Sequence, residues 1–223
     1  MRVLLLSLLL ALGACTATPT IDPGAPVSPQ GLVKVSNTIM DEVYVYPELD
    51  LSGYDKLMIE GLGIEFRYVK DKGRFMPGRG DSEFYINEEQ REKFRQGVRE
   101  VMSAELTSMK HFSLTDQVGE GVLLLRIGLA DVVSRVPPQS IGRVEIYLSE
   151  LGSATLVIEL RDARSHELLA RIADRRDIEP AMVIQSNPVT NYVEVKREMQ
   201  QWGSIVTNGL DELHERGCLA CGK

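Results

Sequence analysis

The cysteine and histidine residues near the C-terminus form a local pattern with recognisable chemistry. Cys218 and Cys221 make a C-x-x-C pair, and His214 extends it to H-x3-C-x2-C. Three such side chains could bind zinc or copper, and the two thiols alone could exchange electrons or close a small disulfide. The pair follows a predicted helix end, whereas redox-active pairs use a helix N-terminus to activate the thiol. We therefore predict a disulfide between Cys218 and Cys221 and no metal, with a metal site and a redox centre as the alternatives.

The third cysteine, Cys15, is placed for covalent modification. Residues 3–12 form an apolar run that is too short to span a bilayer. The next residues, Leu12-Gly13-Ala14-Cys15, have the order of a bacterial lipoprotein processing box, with small residues before the cysteine. We predict that residues 1–14 are a signal peptide and that Cys15 becomes an N-terminus whose several acyl chains, palmitate among them, anchor the protein in a membrane. The alternative is an ordinary secretory peptide or an apolar N-terminus with a chance cysteine.

The residues after Cys15 predict a tether. Residues 16–30 contain four prolines and no aromatic residue, a composition typical of a semi-rigid spacer that reaches on the order of 45 Å. Thr16, by resemblance to enterobacterial lipoproteins, implies an outer-membrane lipoprotein that faces the periplasm. We predict a lipidated N-terminus and proline-rich tether over residues 15–39, a periplasmic domain over residues 40–216 and a cysteine-containing tail over residues 217–223.

Histidines and acidic residues give little support for catalysis. The sequence has three histidines, His111, His166 and His214. None of them lies in a nucleophile or metalloprotease motif. Asp131, Glu159 and Asp174 lie on or beside predicted strands, where a carboxylate pair could do acid–base work, but charges on solvated strand faces explain them more simply. We predict that the protein is not an enzyme and has no cofactor.

The charge composition of the chain disfavours nucleic acid as a partner. The chain has 223 residues, 32 acidic and 25 basic side chains, and a formal net charge of -7. This balance disfavours a surface for nucleic-acid phosphates. The proportions of apolar, proline and glycine residues are ordinary, so we expect one compact domain plus tails.

Apolar spacing predicts two helices. Asn87 is a favourable N-cap with Gln90 at the capping-box position, and apolar residues recur behind it every three or four positions. Asn191 is assigned as the N-cap of a second helix, which ends at Gly217 and buries Trp202.

Alternating apolar residues predict the strands that must hold these side chains. Runs over 122–133, 154–160 and 168–174 alternate, and a run over 54–66 with two glycines predicts a strand with a bulge. The last two of the alternating runs form a hairpin, in which His166 is predicted to be left-handed. The order of elements predicts an α+β fold: a two-layer sandwich with one mainly antiparallel sheet of about four to five strands and two helices on one face.

Several of these segments also carry a family resemblance. They are the processing box, LSGYDK at 51–56, ELRDA at 159–163, LLA at 168–170, DRR at 174–176 and Trp202. On these segments the chain resembles an uncharacterised lipoprotein family of Gram-negative bacteria, domain of unknown function 3313 (DUF3313), over about residues 44–213. Ser165-His166 departs from the Thr-Gly that the family tends to carry in the hairpin. The resemblance implies placement in the cell envelope and no known activity, catalytic residue or ligand.

Location and missing catalytic motifs together favour a binding role. We expect an accessory or scaffold protein, anchored to the membrane by its N-terminal lipid, whose periplasmic domain binds an envelope protein. The alternative is a carrier or sensor of a small apolar ligand, held between sheet and helices, with residues 68–84 as a lid.

Overall fold

The computed structural model describes residues 19–21, 24, 26–71, 83–138 and 145–218. These residues form an α+β fold. The elements, in chain order, are strands β1 (Thr20–Ile21), β2 (Val33–Ser36), β3 (Glu42–Val45) and β4 (Lys56–Phe66), helix α1 (Glu88–Leu106), strands β5 (Ser113–Leu114), β6 (Val122–Ser134), β7 (Tyr147–Leu148), β8 (Gly152–Asp162), β9 (Leu168–Ile178) and β10 (Ile184–Gln185), and helix α2 (Pro188–Arg216).

The main sheet is larger than the sequence analysis predicts. Among the described residues it has eight strands in the order β1-β2-β3-β9-β8-β6-β4-β5, instead of four to five, and β7 pairs with β10 in a separate ribbon. It is a mixed sheet, because β4 is parallel to both β5 and β6 while the other neighbours are antiparallel. The additional strands are only two to four residues long, too short for alternation to distinguish them from loops.

The N-terminal strands lie inside the segment that the sequence analysis assigns to the tether. Val33 and Val35 alternate with polar residues in β2 and are buried in the main core. β2 pairs with β3, which pairs in turn with β9. The folded sheet therefore extends upstream of residue 40, because two buried valines stabilise a four-residue strand once a neighbouring strand is present.

Three long strands form the centre of the sheet. β6, β8 and β9 are antiparallel neighbours, and the inward-facing residues of β8 are Ala154, Leu156, Ile158 and Leu160. The predicted hairpin between β8 and β9 is confirmed, and His166 has a φ of 59°. The predicted bulge in β4 is also confirmed, since its register with β6 shifts between Gly61 and Gly63.

Helix α1 begins as the sequence predicts. The Asn87 side chain accepts a hydrogen bond from the backbone N–H of Gln90 at 2.9 Å, and the Gln90 side chain accepts one from the N–H of Asn87 at 2.9 Å. This reciprocal pair satisfies two N–H groups that a helix start would leave without partners.

Helix α2 begins four residues earlier than predicted. Its N-cap is Asn187, whose side chain accepts hydrogen bonds from Val189 and Thr190, and Pro188 occupies the first turn. Asn191 lies inside the helix instead of capping it. Proline interrupts a helix interior but fits its first turn, where the missing N–H has no intrahelical partner. The predicted end at Gly217 is confirmed.

Both helices pack against the same face of the sheet. Val101 and Leu106 of α1 and Met199 and Trp202 of α2 belong to one buried cluster together with the inward residues of the central strands. Trp202 is fully buried, as predicted. No helix among the described residues is long and apolar enough to cross a membrane.

Candidate functional site

The cysteine sites are only partly visible. Cys15 and Cys221 lie outside the described residues. Cys218 follows the end of α2 and is disulfide-bonded. Its partner cysteine also lies outside the described residues, so the pairing with Cys221 stays a prediction.

His214 contacts aromatic rings. Its ring stacks on His111 with centroids 4.6 Å apart and meets Phe112 edge-on at 5.4 Å. The Nε2 atom of His111 lies 3.0 Å from a carboxylate oxygen of Glu215. Among the residues that the structure describes, no three His, Cys, Asp or Glu side chains are grouped to hold a metal ion. A cysteine in a disulfide also lacks the thiolate that zinc and copper bind.

Asp174 is the centre of a buried polar network between the sheet and α2. Its carboxylate accepts a hydrogen bond from the Trp202 indole N–H at 2.7 Å and one from Nε of Arg176 at 2.7 Å. Arg176 also contacts Glu198 at 3.0 Å. Burial disfavours the charged form of Arg176, but the hydrogen bond to Glu198 and the charge of Asp174 outweigh it and raise the Arg176 pKa. This network ties α2 to β9.

A second charged group is centred on Asp131, in a bulge of β6. Asp131 has a φ of 53°, and β6 shifts its register with β8 at this point. Its carboxylate pairs with Arg67 and, at 2.8 Å, with Arg175, which also donates to Ser153 at 2.9 Å. The hydrogen bond from Arg67 keeps the pKa of Asp131 below its usual value. Arg67 pairs in addition with Glu83.

The third charged group crosses three strands on the sheet face that the helices do not cover. Arg126 of β6 contacts Glu60 of β4 at 3.0 Å and Glu159 of β8 at 3.1 Å. Arg161 contacts Glu159 at 2.9 Å. Burial favours the neutral form of Glu159, but the hydrogen bonds and charges of the two arginines prevail and lower its pKa.

These three groups separate the acidic residues that the sequence analysis weighed as an acid–base pair. Asp174 faces the helices, Glu159 lies on the opposite face, and Asp131 lies in the bulge. Each carboxylate is paired with at least one arginine. None of the three carboxylates lies beside another of them, and the geometry is that of structural ion pairs.

The arginines in these groups are not predicted as partners from the sequence, although the sequence contains one signal for them. Asp174 and Arg176 have the same strand parity as Ala170 and Ile172, which face the core. Extending the alternation through the end of β9 places both charges inward. The partners of Asp131 come from distant parts of the chain, and local spacing contains no information about them.

Among the residues that the structure describes, one edge of β4 has no strand beside it beyond Leu57. β4 pairs with β6 along its length as far as Phe66, whereas β5 covers its other side only at Lys56 and Leu57. The Leu57 carbonyl accepts from the Thr115 N–H at 3.0 Å, which is the last bond on this side in the described residues. Ile59 and Gly61 have the same parity as Leu57, so their N–H and C=O groups point toward this open edge.

The comparison with protein families identifies the chain. The model described as "Protein of unknown function (DUF3313)" matches residues 25–205. The chain belongs to this family. The matched segment includes β2, upstream of residue 40, and extends into α2, whereas β1 lies before it. No curated protein matches this DUF3313 chain.

Solved structures are similar at low sequence identity. Protein XCC0632 from Xanthomonas campestris, assigned to family DUF330, is 9% identical with a TM-score of 0.42, covering 88% of this chain and 92% of that one. PelC from Paraburkholderia phytofirmans, solved as a dodecamer, is 9% identical with a TM-score of 0.35, covering 73% and 96%. A minor lipoprotein from Acinetobacter baumannii is 13% identical with a TM-score of 0.31, covering 74% and 96%. These likenesses carry no argument about function.

Proposed function

We propose that this DUF3313 chain is an outer-membrane lipoprotein, acylated at Cys15, whose periplasmic domain is an accessory or scaffold subunit that binds an extended segment of an envelope protein. The observation that carries the binding role is the open edge of β4 described above. The processing box supports the anchor, and Thr16 supports the outer membrane. The protein acts by binding and is not an enzyme.

The edge of β4 supports binding by strand addition. A strand that exposes backbone N–H and C=O groups on one side can pair with a segment of another chain, and side-chain pockets then select among partners. Ile59 and Leu62 are both more than a third exposed beside this edge. Glu65 is exposed on the same strand. The expected partner segment is therefore extended, with apolar residues and at least one basic residue.

The ligand-carrier alternative has less support. It requires space between the sheet and the helices. Trp202, Met199 and Leu156 occupy that layer and are each at most 2% exposed. The proposed lid at residues 68–84 lies largely outside the described residues.

The anchor is tested by mass spectrometry of the protein isolated from the membrane fraction of cells. The expected N-terminal peptide begins at Cys15 and carries the mass of a diacylglyceryl group and an amide-linked acyl chain. The Cys15→Ser variant is the control, which should retain residues 1–14 or be released from the membrane. An unmodified Cys15 in the native protein would refute the anchor.

The binding edge is tested by a matched pair of variants at Ile59. Ile59→Pro removes one outward N–H, and proline is tolerated on edge strands. Ile59→Ala removes the same side-chain contacts and keeps the N–H. In cells treated with a cross-linker, the wild type and Ile59→Ala should capture the same partner, and Ile59→Pro should lose it while remaining folded by circular dichroism. Equal capture by both variants, or no reproducible capture by the wild type, would contradict the proposal.

A further inference from the structure

The pairing of β1 with β2 places the N-terminal segment at one end of the sheet. Thr20 pairs with Ser36 and Ile21 with Val35, so the chain upstream of Thr20 leaves in the direction in which β2 ends. β2 and β3 are antiparallel, and β3 pairs with β9 so that Glu42 lies opposite Ala173. This end of the sheet, which we term the entry end, therefore contains Thr20 and the C-terminal half of β9.

Several other segments reach the entry end. Gly152 at the start of β8 pairs with Ile178 at the end of β9, and with Ser134 at the end of β6. Phe84, a few residues before α1, forms a β-bridge with Ser134, so α1 also begins at the entry end. The ribbon of β7 and β10 lies within a few residues of Gly152 and of α2, so α2 also begins at this end.

The length of chain between Cys15 and Thr20 limits how far the entry end can lie from a membrane. Five residues span at most about 18 Å when fully extended. Thr20 is held in the sheet by its pairing with Ser36 and by the Asn37 side chain, whose amide donates to the Thr20 hydroxyl at 3.3 Å. If Cys15 carries the acyl chains, the tether is much shorter than residues 15–39 imply, and Thr20 at the entry end lies within about 18 Å of the lipid.

The entry end also exposes large apolar side chains. Met182 is 75% exposed and Val189 is 72% exposed. The same end of the sheet has further exposed apolar and tyrosine side chains on the ribbon, on the first turns of α2 and on the loops: Val183, Val193, Tyr147, Ile39, Tyr68 and Tyr85. Aliphatic residues and tyrosines that are exposed together are typical of surfaces that meet a lipid interface.

We infer that the entry end rests on the lipid surface in which Cys15 is anchored, with Met182, Val183, Val189 and Val193 inserted among the lipid headgroups. This inference rests on the proposed acylation. Glu145 and Glu179 lie beside this surface, and the Tyr147 hydroxyl donates to Glu145 at 2.9 Å. Acidic side chains give no attraction to anionic headgroups, and Arg135 and Arg197 at this end are paired with Glu150 and Glu194, so burial of apolar surface drives the contact. The contact should therefore be insensitive to salt.

Docking on lipid leaves the open edge of β4 available. β4 ends at Phe66 near the entry end. Ile59 and Gly61 come earlier in the strand and lie nearer the opposite end of the sheet. If the entry end contacts the membrane, the open edge of β4 lies above the membrane and is accessible to a partner.

The test uses photo-cross-linking of the full-length protein. p-Benzoylphenylalanine replaces Val189 in one variant, Met182 in a second and Val118 in a third. Val118 is 60% exposed and lies in the loop before β6, at the opposite end of the sheet. Each variant is purified from membranes, checked for acylation by mass, checked for folding by circular dichroism, and reconstituted in vesicles of phosphatidylethanolamine and phosphatidylglycerol before illumination.

Phospholipid adducts should form at positions 189 and 182 with a yield several-fold above that at position 118, at low and at high salt. Equal or absent lipid adducts at 189 and 182 in acylated protein would overturn the inference and leave the anchor intact. Dominant adducts with protein, either a second copy or another chain, would overturn it in favour of a protein interface. If Cys15 is found unmodified, the proposed function fails; lipid adducts at 189 would still support docking, and their absence would overturn docking as well.

Discussion

Asp174 is the residue at which the charged network and the apolar core meet. It is 3% exposed, and its carboxylate receives hydrogen bonds from Trp202, Arg176 and the backbone N–H of Asp41. A buried carboxylate is tolerated only when its oxygens are fully bonded, and the groups that bond to it are then costly to leave without partners. Asp174 therefore fixes the position of α2 on the sheet.

Replacement of this carboxylate should be strongly destabilising. In Asp174→Ala, the Trp202 N–H and the Arg176 guanidinium lose their partner in a buried position, so the free energy of unfolding should fall by about 2–4 kcal/mol. Chemical denaturation followed by tryptophan fluorescence measures this change, since Trp202 is the only tryptophan. Asp177→Ala, an exposed position on the same strand, is the control and should change stability by less than about 0.5 kcal/mol. Similar losses in both variants would refute the role of Asp174.

Tyr54 makes stability depend on pH in the alkaline range. Burial and the charge of Asp162, to which the hydroxyl donates at 3.1 Å, raise the pKa of Tyr54 to about 12. The ordinary value, expected in the unfolded chain, is about 10. The folded state thus holds the phenolic proton more tightly, and the free energy of unfolding should fall as the pH rises from about 10 to about 12.

The Tyr54→Phe variant isolates this effect. Denaturation curves collected across the alkaline range should show a shallower loss of stability for Tyr54→Phe than for the wild type, because phenylalanine has no proton to release. Below about pH 10 the two proteins should differ by a constant amount. Parallel curves through the whole range would show that the Tyr54 proton is not coupled to folding.

At the scale of elements, β4 and β6 fit closely at their shared bulge. Gly63 has a φ of 89°, a conformation that favours glycine. A Cβ atom at Gly128 would lie 2.6 Å from the Gly63 carbonyl oxygen and 2.8 Å from Cβ of Leu62. The bulge in β4 therefore depends on a glycine in the neighbouring strand, and together they end the regular part of the open edge.

Two glycine-to-alanine substitutions test this fit. Gly128→Ala forces Cβ against backbone atoms of β4 and should lower the free energy of unfolding by about 1–3 kcal/mol. Gly61→Ala is the matched control, because a Cβ there meets nothing within 4 Å. Its stability should change by less than about 1 kcal/mol. Thermal unfolding monitored by circular dichroism measures both. An unchanged free energy of unfolding in Gly128→Ala would show that β4 and β6 can move apart locally and accommodate the Cβ atom.

At the scale of the whole molecule, Thr20 and Gly217 lie at opposite ends of the sheet. Thr20 leaves at the entry end, whereas α2 runs from that end to Gly217, near Asp50. Cys218 follows Gly217 directly. If Cys15 is acylated, Cys221 is the one remaining cysteine that can pair with Cys218.

This division predicts the disulfide pattern of the mature protein. Digestion with trypsin under non-reducing conditions should release a C-terminal peptide that contains Cys218 and Cys221 and is lighter by one H2 than the reduced peptide. Reduction should restore the full mass without changing any other peptide. A cross-linked peptide that joins Cys15 to Cys218 would contradict both the tail disulfide and the acylation.

The sequence determined the elements whose signals are local. The capping box of Asn87 and Gln90, the left-handed His166 and the terminal Gly217 each depend on contacts within a few residues, and all three are found as predicted. The α+β class followed in the same way from long runs of alternating or helical spacing.

The tertiary structure decided the rest, because pairing between distant segments selects among local possibilities. The two-residue strand β1 pairs with β2, the four-residue strand β2 pairs with β3, and β3 joins the sheet through β9, more than 120 residues along the chain. The same long-range pairing brings Asp174 to Trp202, leaves one edge of β4 without a partner strand among the described residues, and places several exposed apolar residues at the end where the chain enters. Spacing along the sequence specifies which face a residue occupies but not which strand lies beside it, so these features required the assembled sheet.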